Sequence, residues 1–284
     1  AADTLGYQCV FRSDHFTEPQ PPDMDSLEAW VSLTYAASST SKIEFGTCVS
    51  PVTFRHPALL ARTAAAVDDL SGGRLVFGIG AGWQDREHHN FGVPFYDRKT
   101  RHAMLRDALE VTTRLFNSDT PVSYEGQHFS LDGAIMLPRP QRAGGPPILI
   151  GGNGPKWTLP LVAEFADEWN SVYTDTTTYR ELNHLLDELL EQRQRAPGDV
   201  KRSLMTHVDF ATDDADWVRI KAERSLDDTP GRTFKGTASM IIDQIGAYVD
   251  AGAERIMMQW GQLDDLDRIA AMAQAVLPHF HAKG

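Results

Sequence analysis

Short apolar runs alternate with amphipathic stretches along most of this chain, and this alternation constrains the fold more than any other feature of the sequence. The runs have the length of strands, and the stretches between them repeat apolar residues at helical spacing. Strands that alternate with helices form parallel sheets with helical crossovers. The predicted strands are residues 7–12, 43–48, 75–80, 147–151, 168–172, 204–211 and 254–260. The predicted helices are residues 26–39, 58–70, 98–116, 157–165, 178–195 and 237–251.

The length of 284 residues suits one domain, residues 1–284, built as a (β/α)8 TIM barrel, for which about 250 residues are typical. Residues 117–146 are predicted to form an excursion that contains a hairpin around Glu125 and Gly126. The predicted strands fall one short of a closed barrel, and residues 1–5 have the pattern of the second half of a helix. We therefore expect the first strand to be missing from this N-terminus.

Composition excludes several classes of function. The net charge is −12 and the basic residues are scattered, which disfavours nucleic acid as a partner. No apolar run approaches the roughly 20 residues that span a bilayer, and the first residues lack a signal-peptide pattern. We expect a soluble, cytoplasmic protein without a membrane partner. Cys9 and Cys48 lie in apolar runs and are predicted to be buried, reduced thiols.

The run that ends at Gly80 continues into a glycine-rich turn and then into aromatic and charged residues. Gly78, Gly80 and Gly82 are predicted to leave the backbone bare where a flat ligand could lie. A tight strand-to-helix turn without any ligand has the same pattern. The segment does not match a dinucleotide-binding fingerprint, because Trp83 stands where the third glycine belongs. Binding of NAD is therefore disfavoured.

In barrels, chemistry lies at the carboxyl ends of the strands. After the first run, His15 follows Asp14, and a histidine with an acidic neighbour could move a proton near neutral pH. The alternative is a histidine that caps the loop. Arg55 and His56 are candidates for phosphate contact, although a structural role just before Pro57 is favoured.

The run at 147–151 ends in Gly-Gly-Asn-Gly-Pro, directly before a predicted helix. Backbone amides at such a place form an anion site, which suits the phosphate of a cofactor. The segment lacks the Gly-Lys-Ser/Thr ending of nucleotide triphosphate loops. A metal site among the histidines is disfavoured, because neighbours such as His88 and His89 point in different directions on a helix.

Together these segments resemble the luciferase-like monooxygenase superfamily, in particular its branch that uses coenzyme F420. The resemblance is strong over residues 1–172 and looser over 235–259. The matching motifs are Ser-Asp-His-Phe at 13–16, Gly-Thr-Cys-Val at 46–49, Phe-Arg-His-Pro at 54–57, Leu-Ser-Gly-Gly-Arg at 70–74, Gly-Trp at 82–83, Arg-Glu-His at 86–88 and the glycine-rich segment 148–156.

The resemblance implies a luciferase-like TIM barrel that binds the ring of F420, or alternatively of FMN, at the strand ends. His15 and Asp14 would face the reactive edge of the ring, with His15 handling the proton. It also implies a non-prolyl cis peptide bond at Cys48–Val49. The other implied site residues are Thr47, Cys48 and Val49 behind the ring, Ala81, Gly82 and Trp83 beside it, Gly151, Gly152, Asn153 and Gly154 at the phosphate, and Trp83, Glu87 and Trp260 around the substrate.

The function that we expect from this resemblance is an oxidoreductase, in a homodimer, that transfers a hydride between F420 and a small organic substrate. The cofactor carries the redox chemistry, and the protein orients the reactants. One alternative is an FMN-dependent monooxygenase of the same superfamily, and another is a non-catalytic protein that binds flavin or deazaflavin. Trp83 departs from the pattern of a family member that uses a sugar phosphate, which disfavours that substrate.

Overall fold

The computed structural model describes residues 2–226 and 232–281, and it contains two compact units. We call residues 10–168 the first unit, and residues 2–9 together with the chain from Trp169 onward the second unit. The strands are β1 (Cys9–Arg12), β2 (Glu44–Thr47), β3 (Ser50–Pro51), β4 (Leu75–Gly80), β5 (Val122–Glu125), β6 (Ser130–Ala134), β7 (Ile148–Gly151), β8 (Glu168–Val172), β9 (Lys201–Phe210), β10 (Phe234–Gly236) and β11 (Arg255–Trp260).

The helices follow the strands in the order that an α/β protein requires. They are α1 (Ala2–Leu5), α2 (Ala29–Ser39), α3 (Pro57–Ser71), α4 (Asp85–Asn90), α5 (Arg98–Asn117), α6 (Leu159–Phe165), α7 (Thr176–Glu191), α8 (Asp214–Arg224), α9 (Ala238–Val249) and α10 (Leu266–Val276). The predicted α/β class is confirmed.

In the first unit, β4 is the central strand and is buried at all six positions. It pairs in parallel with β2, β3 and β7, while β1 lies next to β2. A parallel strand that is covered on both faces must be apolar along its whole length, which explains the unbroken run that the sequence predicts there. The carboxyl ends of these strands therefore reach the same edge of the sheet.

The glycines of β4 allow close approach of the protein's own chain. A Cβ atom at Gly78 would lie 1.8 Å from the carbonyl oxygen of Thr47, and one at Gly80 would lie 2.5 Å from a methyl group of Val49. The interpretation of these two glycines as bare backbone for a ligand is therefore wrong. The space beside them is filled by Thr47 at the end of β2 and by Val49 in the segment that follows it.

Two further elements of the first unit have local causes. The side chain of His56 accepts a hydrogen bond from the Ala58 amide (3.3 Å) at the start of α3, so His56 is the N-cap that the structural alternative predicts. The predicted hairpin is confirmed as the antiparallel pair of β5 and β6. Asp107 on α5 holds it by accepting from the Tyr124 hydroxyl (2.8 Å) and the His128 amide (2.6 Å).

In the second unit, β9 pairs in parallel with β10 and β11 and neighbours β8. Trp169 of β8 stacks on Tyr179 of α7, and Phe234 of β10 meets Tyr248 of α9 edge-on. One face of this sheet is therefore covered by helices. Side chains alternate along a strand, so the neighbouring residue Asn170 lies on the opposite face.

Most predicted elements are present with shifts of a few residues, but some predictions are wrong. The helix predicted from residue 157 begins at Leu159, because residues 155–158 form a turn in which the amides of Thr158 and Leu159 both donate to the Gly154 carbonyl. The sequence interpretation also missed α8, β10 and α10.

Neither cysteine forms a disulfide, as expected, but Cys9 and Cys48 are half-buried rather than buried. None of the helices among the described residues is long and apolar enough to cross a membrane.

Candidate functional site

The first unit places His15 against Glu87, a residue 72 positions away in the sequence. The His15 Nδ1 atom lies 2.9 Å and 3.1 Å from the two carboxylate oxygens of Glu87. The Phe16 amide donates to the same carboxylate at 2.9 Å. Glu87 is only 1 % exposed, whereas the His15 side chain is 27 % exposed. A buried carboxylate therefore anchors a histidine that still reaches solvent.

This contact fixes the orientation of the imidazole. A carboxylate that faces Nδ1 requires a proton on that atom, which leaves Nε2 as the atom that can accept a proton. The ring of Trp83 meets the His15 ring edge-on, with centroids 5.6 Å apart, and Trp83 itself is 61 % exposed. His15 and Trp83 thus form an accessible surface beside the buried carboxylate of Glu87.

Asp14, the sequence neighbour of His15, faces a different set of partners. Its buried carboxylate accepts hydrogen bonds from the Ser50 hydroxyl (2.7 Å) and from Arg55 (2.6 Å). Arg55 also pairs with Glu28. Burial lowers the pKa of Arg55, but the hydrogen bonds and charges of Asp14 and Glu28 outweigh it, so the pKa of Arg55 is raised. Arg55 therefore has an internal ion-pairing role, in line with the structural alternative.

The segment after β2 brings three strand ends together. The peptide bond between Cys48 and Val49 is cis, which confirms the expectation from the resemblance. The methyl groups of Val49 lie over Gly80 at the end of β4 and over Gly151 at the end of β7, where added Cβ atoms would come within 2.5 Å and 3.0 Å of them. Thr47 is buried, and its hydroxyl donates to the Gly78 carbonyl (2.6 Å).

The loop from Gly151 to Gly154 is half-buried and packs around Thr158. A Cβ atom at Gly154 would lie 2.9 Å from the Thr158 hydroxyl oxygen, and Gly152 has a φ of +128°, which glycine tolerates far better than other residues. The Thr158 hydroxyl also lies 3.5 Å from Nε2 of His102. Burial lowers the pKa of His102. The sequence interpretation missed Thr158, because no motif marks it.

His88 and Gln84 support the turn that carries Trp83. His88 is fully buried, and its Nδ1 donates to the Gln84 carbonyl (2.6 Å) while its Nε2 accepts from the Thr53 hydroxyl (2.7 Å). The Gln84 side chain donates to the carbonyl of Thr17 (3.0 Å). These bonds tie the start of α4 to the loops that follow β1 and β3.

Trp260, predicted to line the substrate pocket, is at the end of β11 in register with Val208 of β9. It lines a small cavity together with Ile220 of α8 and Arg268 of α10. Its predicted role remains a prediction. The neighbouring residue, Gln259, is in register with His207 and is exposed on the other face of the strand.

Comparison with known proteins identifies the family. The model of the family described as "Luciferase-like monooxygenase" matches residues 1–253. The chain belongs to the luciferase-like monooxygenase family. The predicted TIM-barrel class agrees with a solved F420-dependent secondary alcohol dehydrogenase, described in complex with an F420–acetone adduct. That structure is 21 % identical with a TM-score of 0.85, covering 97 % of this chain and 91 % of that one, which establishes the fold alone.

Curated members of the family give the sequence similarity. The chain is 31 % identical over 221 residues to an F420-dependent glucose-6-phosphate dehydrogenase of Kineococcus radiotolerans, covering 75 % of this chain and 63 % of that protein. It is also 31 % identical to an F420-dependent hydroxymycolic acid dehydrogenase of Mycobacterium tuberculosis, over 60 % of this chain and 46 % of that protein. The chain thus spans less than two thirds of the length of either relative.

Proposed function

We propose that this protein is an oxidoreductase that transfers a hydride between coenzyme F420 and a small organic substrate. The observation that carries the proposal is the accessible imidazole of His15, which the buried Glu87 carboxylate holds at Nδ1. Hydride transfer to or from an alcohol-type group is accompanied by movement of a proton, so a positioned base is the group that such a reaction needs. The relatives described as F420-dependent dehydrogenases support the same activity.

The residues of the first unit fit a flat ring with a phosphorylated tail. Val49 offers apolar surface between the ends of β4 and β7. The segment Ala81–Trp83, in which Ala81 and Gly82 are half-buried and Trp83 is exposed, follows β4 directly. We assign Thr47, Cys48 and Val49 to the back of the ring and Ala81, Gly82 and Trp83 to its side. The loop Gly151, Gly152, Asn153 and Gly154 would hold the phosphate, with the hydroxyl of Thr158 as an additional donor. F420, when bound, supplies the carbon that gives or accepts the hydride.

In this assignment His15 is the catalytic residue, and its Nε2 atom takes or returns the substrate proton. Glu87 is a positioning residue, because among the described residues its carboxylate bonds to the His15 imidazole and the Phe16 amide. Asp14 acts through Arg55 and Ser50, which hold the loop that carries His15. The exposed ring of Trp83 is the proposed wall for the substrate.

Titration of the purified protein with F420 and, separately, with FMN tests this proposal. We expect saturable fluorescence quenching with F420 and weak or no binding of FMN. Tight binding of FMN without affinity for F420 would refute it and favour the monooxygenase alternative. Binding of F420 without hydride transfer from any alcohol or reductant offered would favour the non-catalytic binding protein.

We also propose that the protein is a homodimer in the cytoplasm. Helix α2 carries no charged residue on any face, and its outward residues Val31 and Tyr35 are 69 % and 75 % exposed. Leu59 and Leu70 on α3 are 66 % and 61 % exposed. An apolar surface of this kind marks an interface, and a two-fold pair of identical copies buries it without any charge complementarity. Sedimentation of wild type and Tyr35→Glu tests this, with a monomeric variant expected.

A further inference from the structure

One face of the sheet in the second unit becomes exposed to solvent near the carboxyl ends of the strands. This open face is the side of β8, β9 and β11 that lies opposite the helices, as the helix contacts of Trp169 show. Along β9 the residues on this face change from buried Ser203, through half-buried Met205, to exposed His207. Such a gradient is expected where the inner side of a sheet becomes a ligand-binding surface, since barrels bind their ligands at this end of the strands.

Three polar side chains, none of them a carboxylate, lysine or arginine, meet at this opening. The ring of Tyr173, which follows β8, stacks on the imidazole of His207 with centroids 4.9 Å apart and an interplanar angle of 28°. The Tyr173 hydroxyl donates to the carboxamide oxygen of Gln259 on β11. Gln259 and His207 are neighbours across the two parallel strands. We call Tyr173, His207 and Gln259 the polar cluster.

The backbone of Tyr173 points to a functional reason for this arrangement. Its φ is +49°, a left-handed conformation that is unfavourable for a bulky residue. Among the described residues, Gln194 and Ser225 also have positive φ without being glycine, but both lie at ends of helices, where that conformation is common. Tyr173 instead follows a strand. Its amide still donates to the Met205 carbonyl (3.0 Å), and the turn aims its ring at His207.

The hydrogen bond between Tyr173 and Gln259 leaves the NH₂ group of Gln259 available as a donor. Because the Tyr173 hydroxyl occupies the oxygen of the Gln259 carboxamide, the NH₂ group of Gln259 presents its donors elsewhere. Within the described part of the chain, the ring nitrogens of His207 have no hydrogen-bond partner, and both His207 and Gln259 are exposed. The cluster therefore offers an amide donor and an imidazole edge side by side.

We propose that the polar cluster binds the hydroxyl or carbonyl oxygen of an uncharged ligand. An oxygen atom accepts a hydrogen bond from the Gln259 NH₂ group while the imidazole of His207 donates to it or accepts from it.

The cluster's own side chains favour a neutral ligand over a phosphate ester, because none of them is a lysine or an arginine. Asp209, two residues beyond His207 on the same face, is paired with Arg224. Lys235 on β10 is in register with Asp209. The three side chains of the cluster itself carry no fixed positive charge that would offset a phosphate dianion.

Nuclear magnetic resonance of the imidazole groups tests the proposal, with cyclohexanol as the neutral probe and cyclohexyl phosphate as the charged one. The ¹H–¹³C cross peaks of His207 are assigned with His207→Gln. We expect cyclohexanol to shift these peaks saturably and the phosphate ester to bind more weakly. Gln259→Leu should weaken cyclohexanol binding by about tenfold, the effect of one lost hydrogen bond, and Tyr173→Phe by a smaller factor. Gln262→Leu, an exposed glutamine beyond the same strand, is the matched control and should bind as wild type does.

Several results would overturn the proposal. They are the absence of a saturable shift at His207, equal affinity in Gln259→Leu and wild type, and tighter binding of the phosphate ester than of the alcohol. A parallel titration with F420 separates the two proposals. Loss of F420 affinity in Gln259→Leu would assign the cluster to the cofactor and overturn the inference while the proposed function stands. Binding of cyclohexanol by a protein that does not bind F420 would support the site and refute the function.

Discussion

The two units present their candidate residues in different ways. In the first unit most of them lie in loops directly after strands, where His15 follows β1 and Ala81–Trp83 follow β4, while Glu87 lies in α4. In the second unit, His207 and Gln259 lie within strands, and only Tyr173 lies just after one. Residues in a loop after a strand form a local motif, whereas residues within strands become neighbours only through pairing. The first kind of site can therefore be read from sequence, and the second cannot.

The two units also differ in the charge of these residues. Among its candidate residues, the first unit buries two carboxylates, Glu87 beside His15 and Asp14 beside Arg55. The polar cluster of the second unit contains no carboxylate, lysine or arginine. A buried carboxylate holds the proton-handling imidazole in one orientation, and neutral donors suit recognition. The predictions below test this division of roles, from the largest expected effect to the smallest.

Replacing His15 should reveal the largest difference between the two units in their effect on kcat. His15→Ala is expected to lower kcat for F420 reduction by about 10²–10⁴-fold, because it removes the proposed proton acceptor. His207→Ala should instead leave kcat within a few fold. Steady-state kinetics with the substrate that reduces F420 measures both, and His89→Ala on the exposed side of α4 is the control. Equal effects of the two substitutions on kcat would contradict the division.

The glycines of the two units should respond to alanine with opposite signs. Gly78→Ala places a Cβ atom against the Thr47 carbonyl and is expected to lower the free energy of unfolding by about 3 kcal/mol. Gly246→Ala in α9 meets no atom within 4 Å beyond its own helix and should raise it by up to about 1 kcal/mol. Urea denaturation measures both values. A stable Gly78→Ala variant would show that the first unit can widen between β2 and β4.

The partner of His15 can be tested without removing the imidazole. Glu87→Gln keeps the shape of the side chain but removes the charge that holds the Nδ1 proton. We expect kcat to fall by about tenfold or more, at the low end of the range for acid–base catalysis. The ¹⁵N chemical shifts of His15 should show a changed tautomer, which a purely structural role would not produce. Asp85→Asn, exposed at the start of α4, is the control.

Two aspartates with opposite pKa shifts should change the free energy of unfolding in opposite directions as the pH falls. In the second unit, hydrogen bonds from Arg268, the Thr212 amide and Arg219 outweigh partial burial and lower the pKa of Asp216. In the first unit, burial raises the pKa of Asp68 despite the charge of Arg142. Asp216 therefore stabilises the fold above the ordinary pKa of about 3.9, and this contribution is lost as the pH falls through its lowered folded value. The pKa shift of Asp68 has the opposite sign, so protonation of Asp68 in acid stabilises the folded state relative to the unfolded state.

Measurement of unfolding free energy against pH for two variants checks this pair. The difference between wild type and Asp216→Asn should be about 1–2 kcal/mol at neutral pH and should shrink as the pH falls below about 4. Over the same fall in pH, the unfolding free energy of wild type should rise relative to that of Asp68→Asn. Parallel curves for the two variants would show that these carboxylates do not differ in the way described.

Local patterns explain how much of the fold could be predicted. The strand β4 and its turn were predicted because burial on both faces requires a continuous apolar run. Helix α6 was predicted two residues too early, because Pro155 is compatible with both a helix start and the observed turn. The strand β10 was missed because it has only three residues, and its pairing with β9 decides its conformation.

The sequence by itself determined the α/β alternation, the family, the position of the cis peptide bond at Cys48–Val49 and the candidacy of His15. These features depend on adjacent residues, or on motifs that remain recognisable as strings. Only the tertiary structure decided that Glu87 rather than Asp14 faces His15, that Gly78 and Gly80 make room for the protein's own chain, and that His207 and Gln259 meet Tyr173. The physical reason is that strand register and long-range packing bring distant side chains within hydrogen-bonding distance. Neither can be predicted from a short segment of sequence.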